Sequence, residues 1–183
     1  MDKINFMEIL KVSTHTSLHK TFRLDHEVEA NPGQYLMLWI PEAGEKPMSL
    51  SNLNPLEVTV KKVGGFTEKL FQLEAGDEIG VRGPYGNGFK PVAGDCLLVG
   101  GGCGTAPLRP LKDLVSGEAV ISSVTSEQLL YVDDFNEAGF NTYLCTDDGS
   151  KGYPGMAGDF VEEHLGENTF DCVYTCGPEP MMK

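Results

Sequence analysis

Short runs of alternating or β-branched residues, separated by glycine, proline and asparagine, fill the first half of the chain, and almost no helical periodicity interrupts them before residue 66. This texture predicts a small antiparallel β-barrel. Six strands are expected, over 6–13, 20–25, 34–40, 48–51, 56–63 and 78–82. Asn31-Pro-Gly33 and Glu74-Ala-Gly-Asp77 are read as turns, because glycine accepts a positive φ and proline fixes its own. One short helix is expected over 67–73, opening on a threonine able to cap it.

After Pro91 the period changes to strand, glycine turn and helix, repeated. The continuous apolar run 96–99 suits a parallel strand buried on both faces, and a helix is expected to follow it over 107–115. Further strands are expected over 119–124, Asn141–Thr146 and 172–175, with helical connectors over 133–137 and 159–164. Strands alternating with helices predict a parallel α/β sheet with right-handed crossovers. The pattern therefore predicts a barrel domain over 1–92 and an α/β domain over 93–183, with no internal repeat.

Net charge narrows the partners. Fourteen lysines and arginines stand against 27 aspartates and glutamates, a formal charge of −13, which repels nucleic acid and anionic lipid at long range. An anionic ligand must be held by local backbone N–H groups and a few placed cations. The longest uncharged apolar stretch, 35–41, falls far short of the roughly 20 residues a bilayer span needs, and no signal peptide opens the chain, so a cytoplasmic protein is expected. Five cysteines without a C-x2-C pair predict neither a disulfide framework nor a metal site. His15, His19, His26 and His164 show no ligand spacing and are read as surface or capping residues.

The candidate chemistry lies on loops. Gly100-Gly-Gly-Cys-Gly-Thr-Ala106, between a strand and a helix, is read as a cradle for the pyrophosphate of a nicotinamide dinucleotide, or else as a bare connector. Two more loops are expected on the same carboxyl edge of the sheet, Thr146-Asp-Asp-Gly-Ser-Lys-Gly152 and Cys176-Gly-Pro-Glu-Pro-Met-Met182. In the bland alternative Cys176 is a small buried residue and Met181 and Met182 fill core.

Taken in order, Lys46-Pro-Met-Ser-Leu-Ser51, Gly64-Gly-Phe-Thr67, Gly83-Pro-Tyr-Gly-Asn-Gly-Phe89, the glycine turn and Cys176-Gly-Pro-Glu-Pro-Met181 resemble the ferredoxin-NADP reductase superfamily. Within it the chain is most similar to electron-transfer subunits of NAD-dependent (type B) dihydroorotate dehydrogenases, in which the Gly-Pro-x-Gly-Asn-Gly-Phe and Asp-Asp-Gly-Ser segments recur. The resemblance implies an FAD-binding barrel, an NAD(H)-binding α/β domain, and a dihydroorotate dehydrogenase-type FMN subunit as partner in pyrimidine biosynthesis. It carries flavin contacts to Lys46, Pro47, Met48, Ser49, Val60, Lys61, Lys62, Phe66 and Thr67. It carries nicotinamide-nucleotide contacts to Gly100, Gly101, Gly102, Gly104, Thr105, Ala106, Asp147, Asp148, Gly149, Cys176, Gly177, Pro178 and Met181. Ser49, near flavin N5, and Cys176, beside the nicotinamide, take the catalytic roles.

The chain departs from the family pattern in four places. Lys46 stands where arginine is usual and lacks its bidentate fork; the alternative for it is an ordinary solvated lysine. Met48 replaces a stacking aromatic ring. Ser122-Ser-Val-Thr125 lacks an arginine for a 2′-phosphate, which favours NADH over NADPH. The family's [2Fe-2S] cluster needs a four-cysteine segment that this chain does not contain, so truncation or supply of that segment by another chain is expected. Two other functions fit the same residues: a non-catalytic flavin or dinucleotide binding module, and a stand-alone NAD(P)H reductase serving a ferredoxin or oxygenase.

Overall fold

In the computed structural model, which describes residues 3–182, the chain divides into two compact units, Met1–Phe89 and Lys90–Lys183. The change of hydrophobic period points to a boundary three residues later.

The first unit is a closed barrel. Strands β1 (Asn5–Thr16), β2 (His19–Leu24), β3 (Tyr35–Ile40), β4 (Gly44–Asn52) and β5 (Glu57–Lys61) precede helix α1 (Gly65–Leu70), and β6 (Glu78–Tyr85) follows it. Around the barrel the order is β1-β2-β5-β4-β3-β6, every pair antiparallel. Closure leaves no open sheet edge. All six expected strands are present, and β1 and β4 run longer than their apolar runs. Alternation sets the register: Leu36, Leu38 and Ile40 of β3 are buried, while Tyr35, Met37 and Trp39 are only half-buried. Phe66 and Leu70 of α1 join the same core as Ile9, Phe22, Leu50 and Val58. In the Asn31-Pro-Gly33 turn, Gln34 N–H donates to the Asn31 carbonyl at 3.1 Å and Gly33 has φ +85°. A side chain there would meet the Phe89 ring.

The second unit is a parallel sheet. Its elements are β7 (Asp95–Gly101), α2 (Thr105–Leu108), β8 (Ser116–Ser123), α3 (Val132–Glu137), β9 (Asn141–Thr146), β10 (Tyr153–Pro154), α4 (Ala157–Glu167) and β11 (Cys172–Cys176), with 3-10 turns at Gly102–Gly104 and Arg109–Asp113. The strand order is β10-β9-β8-β7-β11, all parallel. The central strands are buried without alternation, as strands covered on both faces must be.

Three expected elements take another form. The helix expected over 67–73, with Thr67 as its cap, is α1 at Gly65–Leu70, with Gly64 at the cap position and Thr67 inside its first turn. In place of one helix over 107–115 there is a four-residue α2 and then a 3-10 turn. Pro110 explains the break: it has no N–H for the Ala106 carbonyl, and its ring crowds that carbonyl. The connector over 159–164 is the middle of a longer helix, α4, whose Phe160 packs on Tyr143 of β9 with ring centroids 5.3 Å apart.

The histidine reading needs correction. His19 is fully buried, its Nδ1 hydrogen-bonded to Thr16 Oγ1 at 2.9 Å. His164 is half-buried, stacked between Phe160 and Phe170, and its Nε2 lies 2.5 Å from Glu118 Oε2. Among the described residues no helix is long and apolar enough to cross a membrane, and no group of three or more His, Cys, Asp or Glu could hold a metal ion.

Candidate functional site

In the barrel unit, two stretches about twenty residues apart meet in one groove. Lys46, Pro47 and Met48 of β4 form one wall, and Val63, Gly64, Gly65, Phe66 and Thr67 form the other, around a volume of about 350 Å³. Five of the nine residues assigned to flavin by resemblance are therefore neighbours here. Val63, Gly64 and Gly65 complete the lining; the two glycines belong to the Gly64-Gly-Phe-Thr67 motif, whereas no motif marks Val63.

The side chains divide by role. Phe66 is buried and anchors α1 to the barrel core, and Met48 packs partly against the same core. The Thr67 hydroxyl is already engaged: it accepts from Val63 N–H at 2.9 Å and Gly64 N–H at 3.0 Å, and donates to the Gly64 carbonyl at 2.8 Å. Thr67 thus builds the turn that opens α1. Gly64 and Gly65 have open space where a β-carbon would stand, so this wall is bare backbone. Lys46 is exposed and supplies the groove's cation.

The other four residues lie elsewhere in the unit. Ser49 is half-buried opposite Tyr35 in the β3–β4 register, on the face of β4 that Pro47 shares. Val60 is buried in the barrel core. Lys61 pairs with His19 across β2–β5. Lys62 lines a separate cavity.

In the sheet unit, strand order makes the site. β8, β9 and β10 succeed one another on one side of β7, whereas β11 pairs with its other side. The order therefore reverses between β7 and β11, and the crevice beyond their carboxyl ends is where open α/β sheets bind ligands. The glycine turn follows β7 and the Cys176 loop follows β11, with Cys176 opposite Gly100 in register.

The glycines let these two loops interlock. A β-carbon on Gly101 would stand 2.5 Å from Met181 Sδ, and one on Gly177 2.5 Å from Met181 Cε. On Gly104 it would stand 2.3 Å from the Cys176 carbonyl oxygen. Gly100 is closed by Thr105, whereas Gly102, at φ +54°, faces open space. Loop-to-loop packing thus accounts for most of these glycines, and Gly102 alone among them leaves bare backbone open to an approaching group. α2 is too short to offer a strong dipole, so an anion here meets individual N–H groups.

The remaining residues fall into supporting and open positions. Thr105 Oγ1 is buried and has no hydrogen-bond partner, an orphaned donor inside the turn. Ala106 is buried. Met181 packs against the core containing Leu97, Val99 and Val120, and Ser122 donates toward its sulfur at 3.6 Å and to the Gly100 carbonyl at 3.3 Å. Pro178 is exposed beside Gly101. Burial pushes the half-buried Cys176 thiol above its ordinary pKa and keeps it protonated.

Asp147, Asp148 and Gly149 are exposed on the loop after β9. Backbone N–H groups of Asp147 and Asp148 donate to the carbonyls of Ser123 and Val124 at 3.1 Å, which ties this loop to the one after β8. Ser150 donates to Asp148 Oδ1 from its hydroxyl at 2.6 Å and its N–H at 3.0 Å, and these bonds hold the Asp148 carboxyl below the usual range.

A closed six-stranded antiparallel barrel followed by a five-stranded parallel sheet is the architecture of the ferredoxin-NADP reductase class. A solved structure of an NADH-dependent reduced ferredoxin-NADP oxidoreductase, described for flavin-based electron bifurcation, superimposes with a TM-score of 0.85 at 30% identity, over 100% of this chain and 71% of that one. No family model matches the sequence. Two curated relatives carry the same name, probable dihydroorotate dehydrogenase B (NAD(+)), electron transfer subunit. The one from Methanocaldococcus jannaschii is 39% identical over 100% of this chain and 72% of its own length. The one from Thermoplasma acidophilum is 43% identical over 88% of this chain and 62% of its own length. The chain belongs to the family of dihydroorotate dehydrogenase B electron transfer subunits.

Proposed function

We propose that this chain is a flavin-dependent electron-transfer subunit that moves electrons between NAD(H) and a catalytic partner of the dihydroorotate-oxidising type. The observation that carries the reading is the groove in which Lys46, Pro47 and Met48 meet the bare backbone of Gly64 and Gly65. It joins a cation, an apolar wall and unhindered peptide groups, the donor set a flavin nucleotide needs.

FAD, when bound, supplies two-electron acceptance from a nicotinamide and release of electrons one at a time, which no side chain here can perform. The chain's own residues orient and exclude. Lys46 supplies a point charge for a phosphate. Pro47 and Met48 keep water from the apolar wall. Ser49 is the candidate hydroxyl for a hydrogen bond to the flavin ring. In the sheet unit, the Gly102 backbone and the orphaned Thr105 hydroxyl fit a nucleotide phosphate or ribose. Cys176, held neutral, lines the nicotinamide position without reacting. The absence of an arginine from Ser122-Ser-Val-Thr125 supports NADH over NADPH.

Anaerobic visible spectroscopy tests the reading. The protein, reconstituted with FAD and desalted, should retain yellow absorbance that bleaches on adding NADH. Failure to retain FAD, or retention without bleaching, would overturn it.

A further inference from the structure

A second cavity of the barrel unit, about 540 Å³, lies beside the C-terminal end of α1 and shares no lining residue with the Lys46 groove. Two lysines converge in it on a single ring. Lys20 Nζ sits 5.2 Å from the centre of Phe71 and donates to the Phe71 carbonyl at 2.8 Å, and Lys62 Nζ sits 5.6 Å from the same centre. Thr14, Thr16 and Ser17, from the end of β1 and the turn into β2, supply hydroxyls on another wall.

Charge makes this arrangement unusual. In a chain of formal charge −13, Arg23, Lys69, Arg82, Arg109 and Lys112 each pair with a carboxylate, yet among the described residues neither Lys20 nor Lys62 makes an ion pair. Glu68 lines the cavity but is exposed and is paired with neither. Two ammonium groups on one cavity add their positive potentials there, and an anion that enters gains charge-assisted hydrogen bonds. The Thr16 hydroxyl is engaged by His19 and by Leu18 N–H, which leaves Thr14 and Ser17 to bond an oxyanion. The volume exceeds that of one phosphate and matches the range of small-molecule sites, and Phe71 offers apolar surface beside the charge.

We propose that the Lys20–Lys62–Phe71 cavity is an anion site for the phosphate dianion, taken as a phosphomonoester of a small metabolite and separate from the flavin and nicotinamide sites. Lys20 and Lys62 act as point charges on the phosphate, the Thr14 and Ser17 hydroxyls orient it, and Glu68 limits its affinity.

The test is calorimetric titration of the FAD-loaded full chain, at constant ionic strength, with inorganic phosphate and with adenosine 5′-monophosphate. Saturable binding is expected for at least one, and the tighter arm tells free phosphate from a phosphomonoester. Lys20→Ala should weaken binding about tenfold, Lys20→Arg should retain it, and the exposed Glu68→Gln should tighten it roughly two- to fivefold. Binding of neither probe overturns the proposal. So does an affinity unchanged in both Lys20→Ala and Glu68→Gln, or loss of FAD from Lys20→Ala, which would assign the lysine to the flavin site. If Lys20→Ala does not fold, Glu68→Gln decides alone. Bleaching by NADH, followed in the same samples, keeps failure here distinct from failure of the electron-transfer reading.

Discussion

Gly104 is packed so tightly against Cys176 that a β-carbon on it would stand 2.3 Å from the Cys176 carbonyl oxygen and 2.6 Å from the carbonyl carbon. Backbone cannot swing aside as a side chain can. Gly101 differs, because what a β-carbon would meet at 2.5 Å is the thioether sulfur of Met181, which has other rotamers. Gly104→Ala should therefore destabilise by about 3 kcal/mol and Gly101→Ala by about 1 kcal/mol, the normal span of overpacking costs. Urea unfolding of the two variants side by side checks the order. Equal losses would mean that the Met181 side chain is as fixed as the Cys176 backbone.

Thr67 gives the second prediction, since its hydroxyl satisfies two backbone donors at the start of α1. Thr67→Val keeps the shape and removes the acceptor. A loss of about 1 to 3 kcal/mol is expected, the cost of leaving buried polar groups unsatisfied, together with faster loss of FAD as the turn of the groove loosens. Thr67→Ser should restore both. Thermal melts with and without FAD, and flavin fluorescence after desalting, measure the two effects.

Much of the fold is legible in local pattern, and most of the remainder depends on pairing between distant segments. The period-two run of β3 and the continuous run of β7 each fix a strand and its burial, since strand geometry is local. Pro110 marks the helix break after α2, but an apolar period carried past it reads as one helix. The reversal of strand order that sets Cys176 beside Gly100 cannot be read locally, because it follows from β11 choosing the far side of β7. The same holds at the Lys46 groove. Lys62 and Val63 are adjacent in the chain, yet they line different cavities, Lys62 the one with Phe71 at the C-terminal end of α1 and Val63 the one with the Gly64 turn that opens it. His19 looks like a surface residue by composition, while its burial is set by where β2 lies in the closed barrel.

The chemistry of Cys176 follows from its burial. The thiol lies above its ordinary pKa, so at neutral pH it is protonated and a poor nucleophile. Alkylation by iodoacetamide, followed by mass spectrometry at this cysteine, should be slower than for a free thiol and should still be rising at pH 9 without a plateau. Cys176→Ser preserves size and neutrality and should keep the rate of flavin reduction by NADH within a fewfold of the parent. A rapid, pH-independent alkylation at pH 7 would instead identify a thiolate and a reacting role.

His19 should make stability depend on pH. Burial, with the charges of Lys61 and His15 nearby, lowers its pKa from 6.5 to about 4, so the fold holds it neutral. Between those values the unfolded chain takes up a proton that the folded chain does not. The contribution is complete above about pH 6.5 and is lost progressively as pH falls toward 4, up to roughly 3 kcal/mol in all. Carboxylates begin to titrate at the lower end, so the informative window is pH 6.5 to 5. His19→Asn keeps a polar group near the Nδ1 position for the Thr16 hydroxyl and does not titrate. Its urea midpoint should stay flat across that window while that of the parent falls. Parallel slopes in the two proteins would mean that His19 is protonated as readily in the folded chain as in the unfolded one.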